Sequence, residues 1–183
     1  GQTREMLGWP APLQTPFRDL LVHSRLVWYL NQIIGYGFRL EQEPKLLCDS
    51  TCDVTAPLVG GSEPRDPARA YYFQNGRRYC QVVQAIWALA DVKEGDGGFV
   101  MVPGTHKSNV ETPEDVATGG DDVGLTFQPS LKTGDLLLVA GTILQGMRPW
   151  NGKGPQRLLS YPYVGRAALQ LAGVGTTTKE NRS

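Results

Sequence analysis

The chain has 183 residues, enough for a single domain with a sizeable core. Hydrophobic residues make up 40% and charged residues 20%, the ordinary balance of a globular protein, and the formal net charge is zero. With a pI near 6.9 this argues against nucleic acid or an anionic membrane surface as a partner, and no apolar run reaches the ~18 residues of a membrane span.

The 22 Gly and 13 Pro call for many turns, as a chain of short strands does. The opening GQTREMLGWP has no signal-peptide character. Cys48, Cys52 and Cys80 are odd in number and lack paired spacing, which predicts free thiols in a reducing compartment and a cytoplasmic location. Cys48 and Cys52 have no second Cys or His pair to complete a zinc site.

Residues 16–34 are predicted as one helix. Pro16 fits the first turn after Thr15 as a cap, Leu20, Leu21, Val27, Leu30 and Ile34 recur at helical spacing, and Gly35 ends it. His23, inside this helix, reads as a surface or core residue and not as a ligand. Short strands are predicted over 38–42, 45–51 and 70–74, followed by the longest β-like run, 78–92, with Val82, Val83, Ile86 and Trp87. A strand over 99–102 turns at Pro103-Gly104. Residues 109–124 read as a long loop, and Glu111, Glu114, Asp115, Asp121 and Asp122 as its solvated acidic face. Strands over 125–128, 135–140 and 157–164 complete the set, with turn signals at Asn75-Gly76, Asp96-Gly97-Gly98 and Lys132-Thr133-Gly134. The tail 173–183 is small and polar and is expected to fray. Many short strands after one early helix predict a single domain over 1–183 with an all-β core and a flanking helix, an antiparallel jelly roll.

The densest motif is DVKEGDGGFVMVPGTHKSN (91–109). Gly95, Gly97 and Gly98 permit a tight turn, residues 99–102 make a buried strand, and His106 and Lys107 then meet solvent or a neighbouring loop. Together with GDLLLVAGTILQGMRPW (134–150) and QRLLSYPYVGR (156–166), this motif resembles the phytanoyl-CoA dioxygenase family of iron(II)/2-oxoglutarate oxygenases, and the resemblance runs from Trp9 to Arg166. It implies a double-stranded β-helix of the jelly-roll, cupin-like kind. His106 falls in the family's PGSH-type signature, where the resemblance implies a structural role and not iron ligation.

The departures from the family pattern are concentrated at its chemistry. The family holds iron with a His-x-Asp/Glu pair and a distal His, and the 2-oxoglutarate carboxylate with an Arg. The matching positions here are Val59, Gly61, Gln145 and Gln156, and Arg157 stands one residue beyond, which on a strand is the opposite face. The resemblance places Tyr71, Phe73, Gln81, Gln84, Trp87, Gln145, Arg148, Trp150, Arg157 and Tyr161 near the mouth of the jelly roll as substrate-binding candidates. Arg148 suits a carboxylate and Trp150 a planar or apolar body. The leading expectation is a family member without the iron centre that binds a small organic molecule and catalyses, if anything, non-redox chemistry, with no cofactor. The alternatives are a non-catalytic partner subunit, as homodimer or heterodimer with a related chain, and an oxygenase with unusual ligation that uses iron(II) and 2-oxoglutarate.

Overall fold

The computed structural model describes residues 5–47, 57–60, 68–108, 110–118, 124–166 and 168. Gly61, Cys48, Cys52, Asp121, Asp122, the second half of the strand expected over 45–51 and the tail 173–183 lie outside the described residues. No helix among the described residues is long and apolar enough to cross a membrane.

A short 3-10 turn, Met6–Gly8, precedes two helices, α1 (Thr15–Leu21) and α2 (Ser24–Ile33), where the sequence predicts one. The break falls at His23, whose backbone (φ −54, ψ 129) leaves the helical region and starts α2 afresh. The two helices bring both Phe17, Leu20 and Leu21 and the fully buried Leu26 and Leu30 into one core cluster on the same sheet. Gly35 (φ +103) follows the end of α2, as its sequence position predicts.

Among the described residues nine strands follow: β1 (Arg39–Leu40), β2 (Lys45–Leu46), β3 (Tyr71–Gln74), β4 (Arg77–Cys80), β5 (Val82–Ala88), β6 (Gly98–Val102), β7 (Leu136–Ala140), β8 (Leu144–Arg148) and β9 (Leu158–Val164). The run predicted over 78–92 is two strands, β4 and β5, separated at Gln81. Asn75 and Gly76 both have positive φ, the conformation that a tight two-residue hairpin turn requires, and they join β3 to β4. The predicted 125–128 strand reduces to a single bridge at Phe127, and a helical turn, α3 (Glu114–Thr118), interrupts the expected long loop. The sequence misses β8. Gly146 breaks its apolar pattern, and a Cβ there would come within 2.8 Å of the Leu58 side chain, which packs across that face.

Among the described residues the strands form two antiparallel sheets and a separate two-stranded hairpin, β3–β4. One has the order β1–β9–β5–β7, with β2 also on β9; the other is β6–β8, widened by bridges from Val59 to Gln145 and from Met101 to Phe127. The sheets share a core in which Ile86, Ala88, Val139 and Leu158 meet Phe99, Met101 and Ile143. The outer face of the larger sheet, with Val83, Ala85, Trp87, Leu159, Tyr161 and Tyr163, carries the helices. The Tyr161 hydroxyl donates to the carbonyl of Phe17 (2.9 Å) and the Tyr163 hydroxyl to that of Leu21 (2.7 Å), so two strand side chains hold α1 in place. Burial pushes both phenols well above their ordinary range, Tyr161 adding to the effect at Tyr163.

Candidate functional site

The sheet of β6 and β8 carries one row of directly opposed residues, Val59, Gln145, Met101 and Phe127. The Val59 N–H donates to the Gln145 carbonyl at 2.7 Å and the Gln145 N–H to the Val59 carbonyl at 2.9 Å, the reciprocal pattern of a closely matched antiparallel pair. Opposed residues share a face, and Met101 belongs to the core between the sheets, so this row lines the inner face. The row is closed at its centre, where Met101 is buried. It opens to solvent at both ends, where Val59 is 64% and Phe127 50% exposed. Gln145 presents a buried Oε1 with no partner.

A second amide, Gln84, faces the same space, and a third, Gln156, is buried near the other end of β6. Gln84 alternates with Val83 and Ala85, so it shares the inner face with Ile86, and its Oε1 is buried and unpartnered. Gln156 is fully buried with neither amide atom bonded, and it lies against Gly98, where a Cβ would sit 2.1 Å from its Nε2. Arg157, one residue on, is exposed, as strand alternation requires. Among the described residues no three His, Cys, Asp or Glu side chains are grouped to hold a metal ion.

At the same end of the sheets, where β6 finishes and β8 begins, a cleft of about 390 Å³ opens beside the edge strand β7. Met101, Val139 and Ile143 give it an apolar floor, and Tyr71, Arg78, His106 and Lys107 line it from the β3–β4 hairpin and the 3-10 turn Thr105–Lys107. His106 packs edge-on to Tyr71 with ring centroids 4.7 Å apart, and its Nδ1 is buried without a partner. Burial, and secondarily the charge of Lys107, lowers the His106 pKa, so the ring is neutral at neutral pH. Cys80 lines the cleft as well. Its thiol is hydrogen-bonded to the Val82 carbonyl at 3.5 Å and pushed up to about 11 by burial, which leaves it protonated and unreactive.

The structure gathers only part of the set of residues expected at the mouth. Gln84 and Gln145 face the inner space, and Tyr71 lines the cleft. Phe73, 66% exposed, shares the hairpin face of Tyr71 and Arg78 at its outer end. Trp87 and Tyr161 instead face the helices, because alternation along β5 and β9 turns them away from the inner sheet. Trp87 sits 5.3 Å from His23 in a separate outer cleft of about 1000 Å³, with Trp28 and Tyr29. Trp150 is buried in the core between the sheets with its indole N–H on the Gly154 carbonyl (2.7 Å), Gln81 lies against Gly165, and Arg148 shares the face of Leu144 and Gly146, opposite to Gln145. The sequence reading missed Arg78 and Lys107 as lining residues. The signal for Arg78 was the Asn75-Gly76 turn, which fixes the hairpin register and sets Arg78 opposite Phe73.

Two antiparallel sheets in this order, wound around a shared inner face and flanked by helices on one side, make this a double-stranded β-helix protein of the oxygenase superfamily. The profile of the family described as Phytanoyl-CoA dioxygenase (PhyH) matches residues 17–147, well over half of the chain, and the protein belongs to that family. Among solved structures it is similar to HygX from Streptomyces hygroscopicus with nickel and 2-oxoglutarate bound, at 25% identity and a TM-score of 0.69, over 85% of this chain and 66% of that one. AviO1 from Streptomyces viridochromogenes shares the fold at 16% identity and TM-score 0.62, over 91% of this chain and 71% of that one. So does SnoN, a non-heme alpha ketoglutarate dependent epimerase from nogalamycin biosynthesis, at 18% identity and TM-score 0.58, over 82% of this chain and 56% of that one. The chain thus spans about two thirds of HygX and little more than half of SnoN. No curated protein sequence matches it.

Proposed function

We propose that this protein keeps the β-helix of its family without the iron chemistry, and holds a small organic molecule at the mouth beside Gln145. The observation that carries this reading is the reciprocal Val59–Gln145 pair. By resemblance to the family, these two positions are those of the first and last iron ligands. An isopropyl group has no lone pair to give, and a neutral amide oxygen is a poor substitute for imidazole at iron(II). The position matching the arginine that grips 2-oxoglutarate holds the neutral, buried Gln156, and the next residue, Arg157, is exposed. These residues do not fit iron(II) and 2-oxoglutarate. What they leave is a set of neutral hydrogen-bonding groups on the inner face and a cleft with an apolar floor, the usual makings of a ligand site.

The test is metal analysis of protein purified with added iron(II), beside a succinate assay with 2-oxoglutarate. Iron well below one equivalent and no succinate above the enzyme-free rate is the expected result. One equivalent of iron with steady succinate production would overturn the reading.

A further inference from the structure

We propose that the cleft between the β3–β4 hairpin and the Thr105–Lys107 turn binds an organic carboxylate with an apolar body. The inference deepens the small-molecule reading above and rests on it. The cleft's volume, about 390 Å³, lies in the range that encloses small organic ligands. Among the described residues its lining carries two cations, Arg78 and Lys107, and no carboxylate. Neither cation makes an ion pair among the described residues, where the salt bridge is between Arg69 and Glu41. Two unneutralised cations around a cleft with low-dielectric walls focus a positive potential into it and favour an anion. The anion needs donors, and the guanidinium supplies a fork that matches a carboxylate. His106 offers a further polar contact, because its buried Nδ1 has no partner in the protein.

The other half of the ligand is read from the floor. Met101, Val139 and Ile143 are apolar side chains of the inner core, and Tyr71 adds an aromatic edge beside His106. A small, fully hydrated anion would leave this surface wet. A carboxylate attached to a flat or branched apolar body covers it while the charged end stays between Arg78 and Lys107. Arg78 is placed for this by the hairpin register: it faces the same way as Tyr71 and Cys80, toward the cleft.

The experiment is calorimetric titration of the protein with 2-naphthoate and with its neutral isostere 2-naphthamide. The expected result is binding of both, the carboxylate at least tenfold tighter, with the preference abolished in the double variant Arg78→Ala, Lys107→Ala. Both side chains are exposed, so the variant is expected to fold, and circular dichroism checks that it does. Equal affinity for acid and amide would sink the carboxylate inference and leave the broader reading standing. A preference that survives in the double variant would place the anion site elsewhere and overturn the assignment to this cleft. Binding of neither compound would count against both readings.

Discussion

Gln156 is an exception to the rule that buried polar groups find partners: it is fully buried and neither amide atom is bonded. Such a group costs about 1–3 kcal/mol relative to a satisfied or apolar one. Gln156→Met keeps nearly the same volume and removes the amide, so urea unfolding should show a gain of about 1 kcal/mol. A loss of that size would mean that the amide is bonded in solution. The faces of Gln156 and Arg157 were legible in the sequence, since alternation along the last strand sends neighbours to opposite sides. Those of Trp87 and Tyr161 were not. Both β5 and β9 are almost wholly apolar and buried on both sides, and a strand with two apolar faces does not announce which one looks inward.

At the scale of elements, α1 is held by β9 as well as by its own ladder. Tyr163 caps the last carbonyl of α1 through its hydroxyl, and Tyr163→Phe deletes that bond while keeping the ring in the core. The expected loss is about 1 kcal/mol, read from a shift in the thermal or urea midpoint, and an unchanged midpoint would show that water replaces the hydroxyl at Leu21 without cost. The hairpin was readable because Asn75-Gly76 is a turn with a known backbone requirement. The split between α1 and α2 was not, because apolar residues keep helical spacing straight through His23 and only the tertiary demand of one sheet breaks the helix there. The strand β8 was hidden for the opposite reason: its glycine serves a packing contact with Leu58 that lies about ninety residues away in sequence and leaves no local mark.

For the molecule as a whole, three buried acids among the described residues lower stability at alkaline pH. Cys80, Tyr161 and Tyr163 all have folded pKa values above the unfolded ones, in each case chiefly through burial. Above the unfolded pKa the unfolded chain loses protons that the native protein retains, so stability falls as pH rises. The urea midpoint should therefore be flat through neutrality, begin to fall at about pH 9 as unfolded Cys80 ionises, and fall more steeply above about pH 10 as the phenols follow. In Cys80→Ala the first part of the decline should disappear. A midpoint still flat at pH 11 would show that the phenols ionise as easily in the native protein as in the unfolded chain. The overall architecture, a helical layer on a two-sheet β core, was legible from turn signals and apolar runs. The cleft was not, because it is made by a hairpin, a turn and an edge strand that meet only in three dimensions.

The neighbours Gln156 and Arg157 make the character of the interior depend on a count of residues. The apolar pattern of β9 fixes Leu158 inward and Leu159 toward the helices, and everything upstream takes its side from that starting point. One residue added between Arg157 and Leu158, absorbed as a bulge, would put Arg157 where Gln156 now stands and carry the amide out toward water. The strand pairing and every side chain from Leu158 onward would keep their places. A neutral interior and a cationic one are separated in this fold by the insertion of a single codon, a change of length that a position-by-position comparison of residue types does not register.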